Sequence, residues 1–596
     1  MEFRAIIFKA FEKTLRASGM MRLFFSSRQH FRERTVNLSL NHINSDDFQC
    51  AITRDYLLLN REGKKRVFCQ TIDEDDLDKY SEMNRKFWRL KWIIEDPKDF
   101  WEVARGWQWL PAVAAAKSDR EKREIIESIE RWFSIHRYPN GLAWAVGLDV
   151  AIRGINLLLI CELTGCTCLS SLLELHKIYL ERMLWVSKGS ARNNHYLGEL
   201  VGLAMLKKSF QEDVSSLIKE IEKEINHQFY SDGVNQEQSV RYHKFSLEFA
   251  LLANLYLGIE APIIEKAGEF LLALRRPDGS WPSIGDDDLG CVLRLHNDEL
   301  NGDYRAVLSV LSLIYNRSDF KKAADHLSAE AEMLVENATD KWNILESREP
   351  KNIYLFDKGG YFIYRTGWNR NDSYFLVKFG PHRWHAHADL FHVELCIDGD
   401  CVLTDSGTYR YWYKFGKVAI PELRRYFRST AAHNAATIND KDQTEQWTTF
   451  RWHNSAKVTD WRIQETDGGF EFNGIHDGYE RFGIQSERKI SCSSDLTIVM
   501  IEDSFKGERS GEINLFWHFD PRISLEKVDE RTIALKRDSK YKGEIKIKCN
   551  NPYRSEIVET PYSEYYSKLS NKKTLVILAD KESIQDLEIK TEFQFK

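Results

Sequence analysis

The hydrophobic pattern of this chain changes period once, near its middle, and that change limits the folds open to it. Between about Tyr80 and Asn337, apolar residues recur at steps of three and four, as in EIIESIERWFSIHRY, AWAVGLDVAIRGINLLLICEL and EFALLANLYLGIEAPIIEKAGEFLLAL. That spacing gathers apolar side chains on one face of a helix. The connectors, such as YPNG and SDGV, are short, so neighbouring helices should run antiparallel. From about Tyr354 the period drops to two, in YFIYRTGW, YFLVKFG, FHVELCIDG, LTIVMIED and KTLVILAD. Alternation of that kind marks half-buried strands. Helices first and strands later predict two segregated domains in an α+β multidomain chain. The helical domain should span 76–345 and an antiparallel β-sandwich 346–596, while residues 1–75 form an N-terminal segment of unclear fold.

Composition removes some functions. The chain has 596 residues, a net charge of −6 and a pI near 6.3, so it lacks the basic footprint of a nucleic-acid binder. It holds no run of the roughly 18 uninterrupted apolar residues expected of a membrane span. The N-terminal stretch MEFRAIIFKAFEKTLRASGMMRLFF is broken by Lys and Arg every few positions. It reads as an amphipathic helix, with no continuous apolar region of a secretory signal. Of ten cysteines, Cys166 and Cys168 form CxC and none has CxxC spacing. A zinc ribbon is disfavoured, and reduced thiols are expected. Tryptophans crowd the early helices, from Trp88 to Trp144. Most should be core; Trp144 is taken as the candidate for a sugar-stacking face.

Three constellations carry chemistry. In NNHYLGEL, Asn194 and His195 open an apolar helical run. Either asparagine there can simply cap the helix, or Asn194 and His195 can face a cleft and neutralise an acid. In SDGVNQEQSVRYHKFSLEF, Glu237 and Arg241 stand four apart and can pair along a helix, with Tyr242 beside them. In HRWHAHADLFHVELCIDGDCVLTDSGTYRY, four histidines fall within eleven residues. His385, His387 and Asp389 alternate and would share one face of an extended segment. Asp405 follows at a strand end and His433 opens a later strand. Two histidines and an aspartate brought together this way suit Zn²⁺.

Taken in order, NNHYLGE, DGxxxExSxxYH, HxHADxxxxEL, LTDSGTYRY and FRSTAAHN resemble the heparinase II/III family of polysaccharide lyases, over roughly residues 80–450. The resemblance implies an incomplete (α/α) toroid followed by the β-sandwich. It implies an enzyme that cleaves a uronic-acid-containing anionic polysaccharide by β-elimination. By it, Asn194 and His195 neutralise the uronate carboxylate, Tyr242 is the Brønsted base or both base and acid, and His385 is the catalytic histidine. His387, Asp405 and His433 would hold a structural zinc. Tyr409 is the candidate second tyrosine, with Tyr411 and Tyr426 competing. Arg241, Glu237, Arg192 and Trp144 are expected to bind substrate, and Asn434 to support the metal ligands.

A uronyl C5-epimerase is the alternative, because it begins with the same proton abstraction. A non-catalytic capsule- or exopolysaccharide-binding protein is a third reading, and a metallohydrolase a fourth. The expected partner is the polysaccharide, with a homodimer left open. A bacterial cytoplasmic location is expected from the N-terminal pattern, with the periplasm as alternative.

Overall fold

The computed structural model describes residues 57–59, 65–67, 98–139, 141–190, 192–295, 302–411, 420–583 and 585–596. The expectation for 1–75 lies outside these, apart from two short paired strands, Leu57–Leu59 and Lys65–Val67.

Helices fill the region from Lys98 to Ile344. Their ends follow local chemistry. Ser118 accepts from the Glu121 N–H at the start of Asp119–Ile135, and Pro262 opens Pro262–Ala273, where its missing N–H is harmless. Gly165 and Gly258 close Gly147–Thr164 and Val240–Leu257 in the left-handed conformation, which glycine adopts without a Cβ penalty. The helices Gly147–Thr164, Ser170–Ser190 and Asn194–Ser209 pack on one another in turn, giving the toroid. Among the described residues, no helix is long and apolar enough to cross a membrane.

Strands follow from Ile353 onward. Among the described residues, antiparallel sheets of five, four and eight strands, with a two-stranded pair of Glu445–Gln446 and Trp452–His453, make up the second half. The five-stranded sheet runs in sequence order through Ile353–Phe356, Tyr361–Arg365, Tyr374–Lys378, Val393–Ile397 and Asp400–Leu403. Its period-two pattern is buried on both faces. Tyr354, Phe356, Tyr361, Ile363, Tyr374 and Leu376 join the helical core. Phe362, Phe375, Val377, Val393 and Leu395 join the sandwich core. Because alternate side chains point to opposite faces, this one sheet welds the two halves together. The connection from Lys378 to Val393 lies at one edge of that weld and carries the clustered histidines.

The structure departs from the sequence reading at two places away from the site. Cys166 and Cys168 are joined in a disulfide rather than reduced. Trp144 is fully buried, donates its indole N–H to the His136 carbonyl at 2.9 Å and stacks on the Arg153 guanidinium. It belongs to the core and offers no face to a sugar.

Candidate active site

The segment 379–392 is irregular, not extended, so His385, His387 and Asp389 do not share one strand face. His385 and His387 instead converge on one carboxylate. His385 Nδ1 donates to Asp286 Oδ2 at 2.8 Å, and His387 Nε2 donates to Asp286 Oδ1 at 2.9 Å. The Arg424 guanidinium donates to both oxygens, at 2.8 Å to Oδ2. Asp389 pairs with the buried Lys378 ammonium at 2.6 Å. Asp286 is fully buried. Burial works against its ionisation, but Arg424 and the histidine donors overcome this and hold its carboxyl well below the usual range.

Gly285 makes the approach of the Asp286 loop workable. Its φ is +73°, and a Cβ there would stand 2.7 Å from the carbonyl oxygens of Gln238 and His385. Ser239 joins the same loop to the next helix. Its hydroxyl donates to the Asp286 carbonyl at 2.5 Å and accepts from the Tyr242 N–H at 3.2 Å, capping Val240–Leu257.

The cap places Tyr242 under His385. The two rings stack 3.7 Å apart between centroids and are tilted by 10°. Burial, with Asp288, Asp286 and Glu237 adding to it, pushes the Tyr242 hydroxyl well above its ordinary value, while a hydrogen bond with Tyr411 opposes the shift. The second tyrosine at the site is Tyr411, whose hydroxyl lies 3.1 Å from that of Tyr242. Tyr409 takes a φ of +63°, which turns the chain, and its ring packs toward Phe427. Tyr426 also lies against Phe427.

Asn193, not Asn194, caps Asn194–Ser209. Asn194 is freed to face Glu237: its backbone N–H and side-chain amide both reach Glu237 Oε1 at 2.9 Å, and the amide reaches Oε2 at 3.0 Å. Asn194 Oδ1 is buried without a hydrogen-bond partner. His385 Nε2 closes the group from the other side, 3.3 Å from Glu237 Oε2. His195, half-buried, donates its N–H to Asn193 Oδ1. Glu237 therefore does not pair with Arg241 as the helical spacing suggested. Burial raises its carboxyl, against the pull of His385 and Asn194. Arg241 pairs instead with Asp287 at 2.8 Å, and Arg192 with the buried Glu224. Both cations expected to bind substrate are thus committed to protein carboxylates.

His387, Asp405 and His433 form the candidate metal centre. One ligand atom from each lies within 4.8 Å of the others, and all three side chains are buried. Asp405 accepts from His433 Nδ1 at 2.9 Å. The remaining ring nitrogens, His387 Nδ1 and His433 Nε2, are buried without partners. Two orphaned imidazole nitrogens beside a carboxylate fit a divalent cation. The partner that orients His387 is Asp286, whereas Asn434 bonds to the Val393 carbonyl and to the N–H of His518.

Asp286 was missed in the sequence. It begins the run Asp286-Asp287-Asp288, and each member takes a different cation: Arg424, Arg241 and Lys98. Three consecutive acids in an apolar stretch are the one signal that pointed there.

Helical toroid, welding sheet and sandwich define a two-domain toroid–sandwich protein. The same architecture recurs in a heparan sulfate lyase mutant from Pedobacter heparinus, at a TM-score of 0.59 and 18% identity, covering 90% of this chain and 86% of that one. A solved heparinase III gives 0.63 at 14% identity, covering 99% and 91%. The sequence is more specific. Residues 348–592 match the family described as heparinase II/III-like, C-terminal. A heparin-sulfate lyase of Bacteroides stercoris is 27% identical over 383 residues, 61% of this chain and 51% of its own. Another, from Pedobacter heparinus, is 24% identical over 240 residues, 38% and 32% respectively. The chain thus spans about half the length of the first of these relatives.

Proposed function

We propose that this protein is a polysaccharide lyase that cleaves a uronic-acid-containing anionic chain by β-elimination. The observation that carries the reading is the Tyr242–His385 stack with Asn194 and Glu237 at its edge. A proton carrier and a set of carboxylate-recognising groups meet there.

The reaction moves one proton. The Tyr242 oxygen, as phenolate, takes the proton from C5 of the uronate. The C5–H electrons form the C4–C5 double bond, and the C4–O bond breaks. The proton then passes from Tyr242 to the departing oxygen, and the phenolate is restored. The barrier lies in removing a proton next to a carboxylate, because charge develops on that carboxylate. Fixed donors aimed at it contribute a few kcal/mol each. Asn194 and His385 already hold a carboxylate, that of Glu237, in the geometry such a group requires. Burial raises the Glu237 carboxyl beside these donors. The Tyr411 hydroxyl donates to the phenolate, and the His385 ring stacks against it.

We assign zinc to His387, Asp405 and His433 on the donor set. When bound, it supplies a fixed charge that anchors the histidine loop; elimination consumes no water for it to activate.

The test is a near-ultraviolet absorbance assay on heparan sulfate and other uronate polymers, because elimination leaves a conjugated double bond. Signal from wild type that is lost in Tyr242→Phe supports the reading. Deuterium uptake at C5 without absorbance would replace it with the epimerase.

A further inference from the structure

Two tryptophans stay in water beside a buried centre. Trp384 is 42% exposed and Trp447 is 55% exposed. Trp384 directly precedes His385. Trp447 lies three residues before Phe450, whose ring centroid is 5.7 Å from His385 and 5.0 Å from Tyr411. The two indoles thus rise from segments that meet at the same histidine.

Neither ring is exposed because its backbone is loose. On one side, Ala386 N–H donates to the Arg383 carbonyl at 3.1 Å and His385 N–H to the Glu237 carbonyl at 3.2 Å. On the other, Trp447 N–H donates to the Arg451 carbonyl at 3.0 Å. The carbonyls of Thr448 and Thr449 accept from Arg428 and Arg424. A pinned backbone that carries an exposed indole is preorganised for a ligand, which lowers the ordering loss on binding. Each tryptophan also has an arginine next to it. Arg383 is exposed and adjoins Trp384. The Arg451 guanidinium lies 5.8 Å from the Trp447 ring.

We propose that Trp384 with Arg383, and Trp447 with Arg451, are two sugar-binding stations flanking the Tyr242–His385 centre, each taking one anionic pyranose unit. The indole face covers the apolar C–H face of the ring, and the guanidinium meets its carboxylate or sulfate. This rests on the lyase reading and extends it. Arg241 and Arg192 are tied to Asp287 and Glu224, so guanidinium contacts to the polymer's charge fall to the rim, beside the carboxylate-recognising groups of the centre. Two stations beside the centre make the enzyme prefer chains longer than a disaccharide.

The experiment uses the full-length protein and heparan sulfate, with Trp384→Ala, Trp447→Ala and the double variant. Both indoles are at the surface, so the fold survives, and circular dichroism verifies it. Each single change raises KM about tenfold, the scale of losing one anchoring aromatic, with far less effect on kcat. The double variant multiplies the two. Because uniform binding is lost, the change sits in KM. Tryptophan fluorescence gives a readout that does not need turnover. Heparan sulfate or alginate quenches wild type, and the double variant loses most of the quenching. KM and quenching unchanged in the double variant, or no quenching of wild type by either polymer, overturns the proposal. Quenching without any absorbance product upholds the stations while refuting the lyase reading.

Discussion

Asp286→Asn is the most demanding test of this site, because one carboxylate answers three donors. The change keeps the shape, removes the charge and replaces one acceptor oxygen with an NH₂ donor. His385, His387 and Arg424 all face that position, and Arg424 is fully buried. Removing one partner of a buried ion pair costs roughly 3–5 kcal/mol, because the other charge is stranded. For a cooperative unit of about 250 residues, an unfolding entropy of about 2 cal/mol/K per residue converts this to a fall of roughly 6–10 °C in Tm. His385 also loses the acceptor that fixes its tautomer, which elsewhere lowers kcat by up to about 10⁴. Calorimetry reads the first effect, and the absorbance rate reads the second. Adding Arg424→Met to Asp286→Asn removes the stranded cation and should recover part of the Tm without recovering the rate. A Tm within about 1 °C of wild type for Asp286→Asn would falsify the argument. A lowered Tm with an undiminished rate would leave Asp286 as a fold element only.

Other outcomes follow from the same geometry. Because Tyr242 is pushed well above its ordinary value, the phenolate is scarce at neutral pH, and kcat/KM should rise about tenfold per pH unit from pH 7 to 9. A plateau in that range would assign the C5 proton to another group. Metal analysis of the purified protein should find one zinc per chain, and a chelator should lower Tm. Unchanged Tm after prolonged chelation, with no metal found, would leave His387, Asp405 and His433 as a hydrogen-bonded cluster. Burial, with nearby arginines adding for His476, lowers His243 and His476 from the usual 6.5 to about 3. Each binds its proton more readily when unfolded, so stability is lost as pH falls from about 6.5 toward 3. Tm should decline between pH 7 and pH 4.5; a flat profile there contradicts their burial as neutral rings.

Much of this was legible in the sequence, for reasons that also explain what was not. The change from a period of about 3.6 to one of two is a property of single segments, so it could be read without knowing which segments touch. It did not show that the five-stranded sheet is buried on both sides, because Tyr354 and Phe375 are equally apolar whichever core they enter. Histidine spacing found His385 and His387, but not their shared partner, which lies 99 residues away from His385 in an irregular loop. Tyr409 and Tyr411 have the same parity and look interchangeable; the positive φ at Tyr409 breaks that parity, and composition carries no sign of it. Trp144 failed for a simpler reason. An indole suits a core and a sugar face equally well, and only its burial separates the two.

That last distinction bears on how such a site is assembled. Residues committed to internal pairs, such as Arg241 with Asp287, shape the centre but have no charge to spare for a ligand. Asp286 goes further, since its two oxygens hold the histidine stacked on Tyr242 and the histidine of the candidate metal centre. A disturbance at His387 is therefore expected to reach His385 through one rigid carboxylate. His387→Ala should lower kcat more than it raises KM, and should be slower than metal-depleted wild type, in which the His387 imidazole still bonds to Asp286. If metal removal alone accounts for the whole loss, so that His387→Ala and chelated wild type are equally slow, the carboxylate carries no coupling and the two histidines act independently.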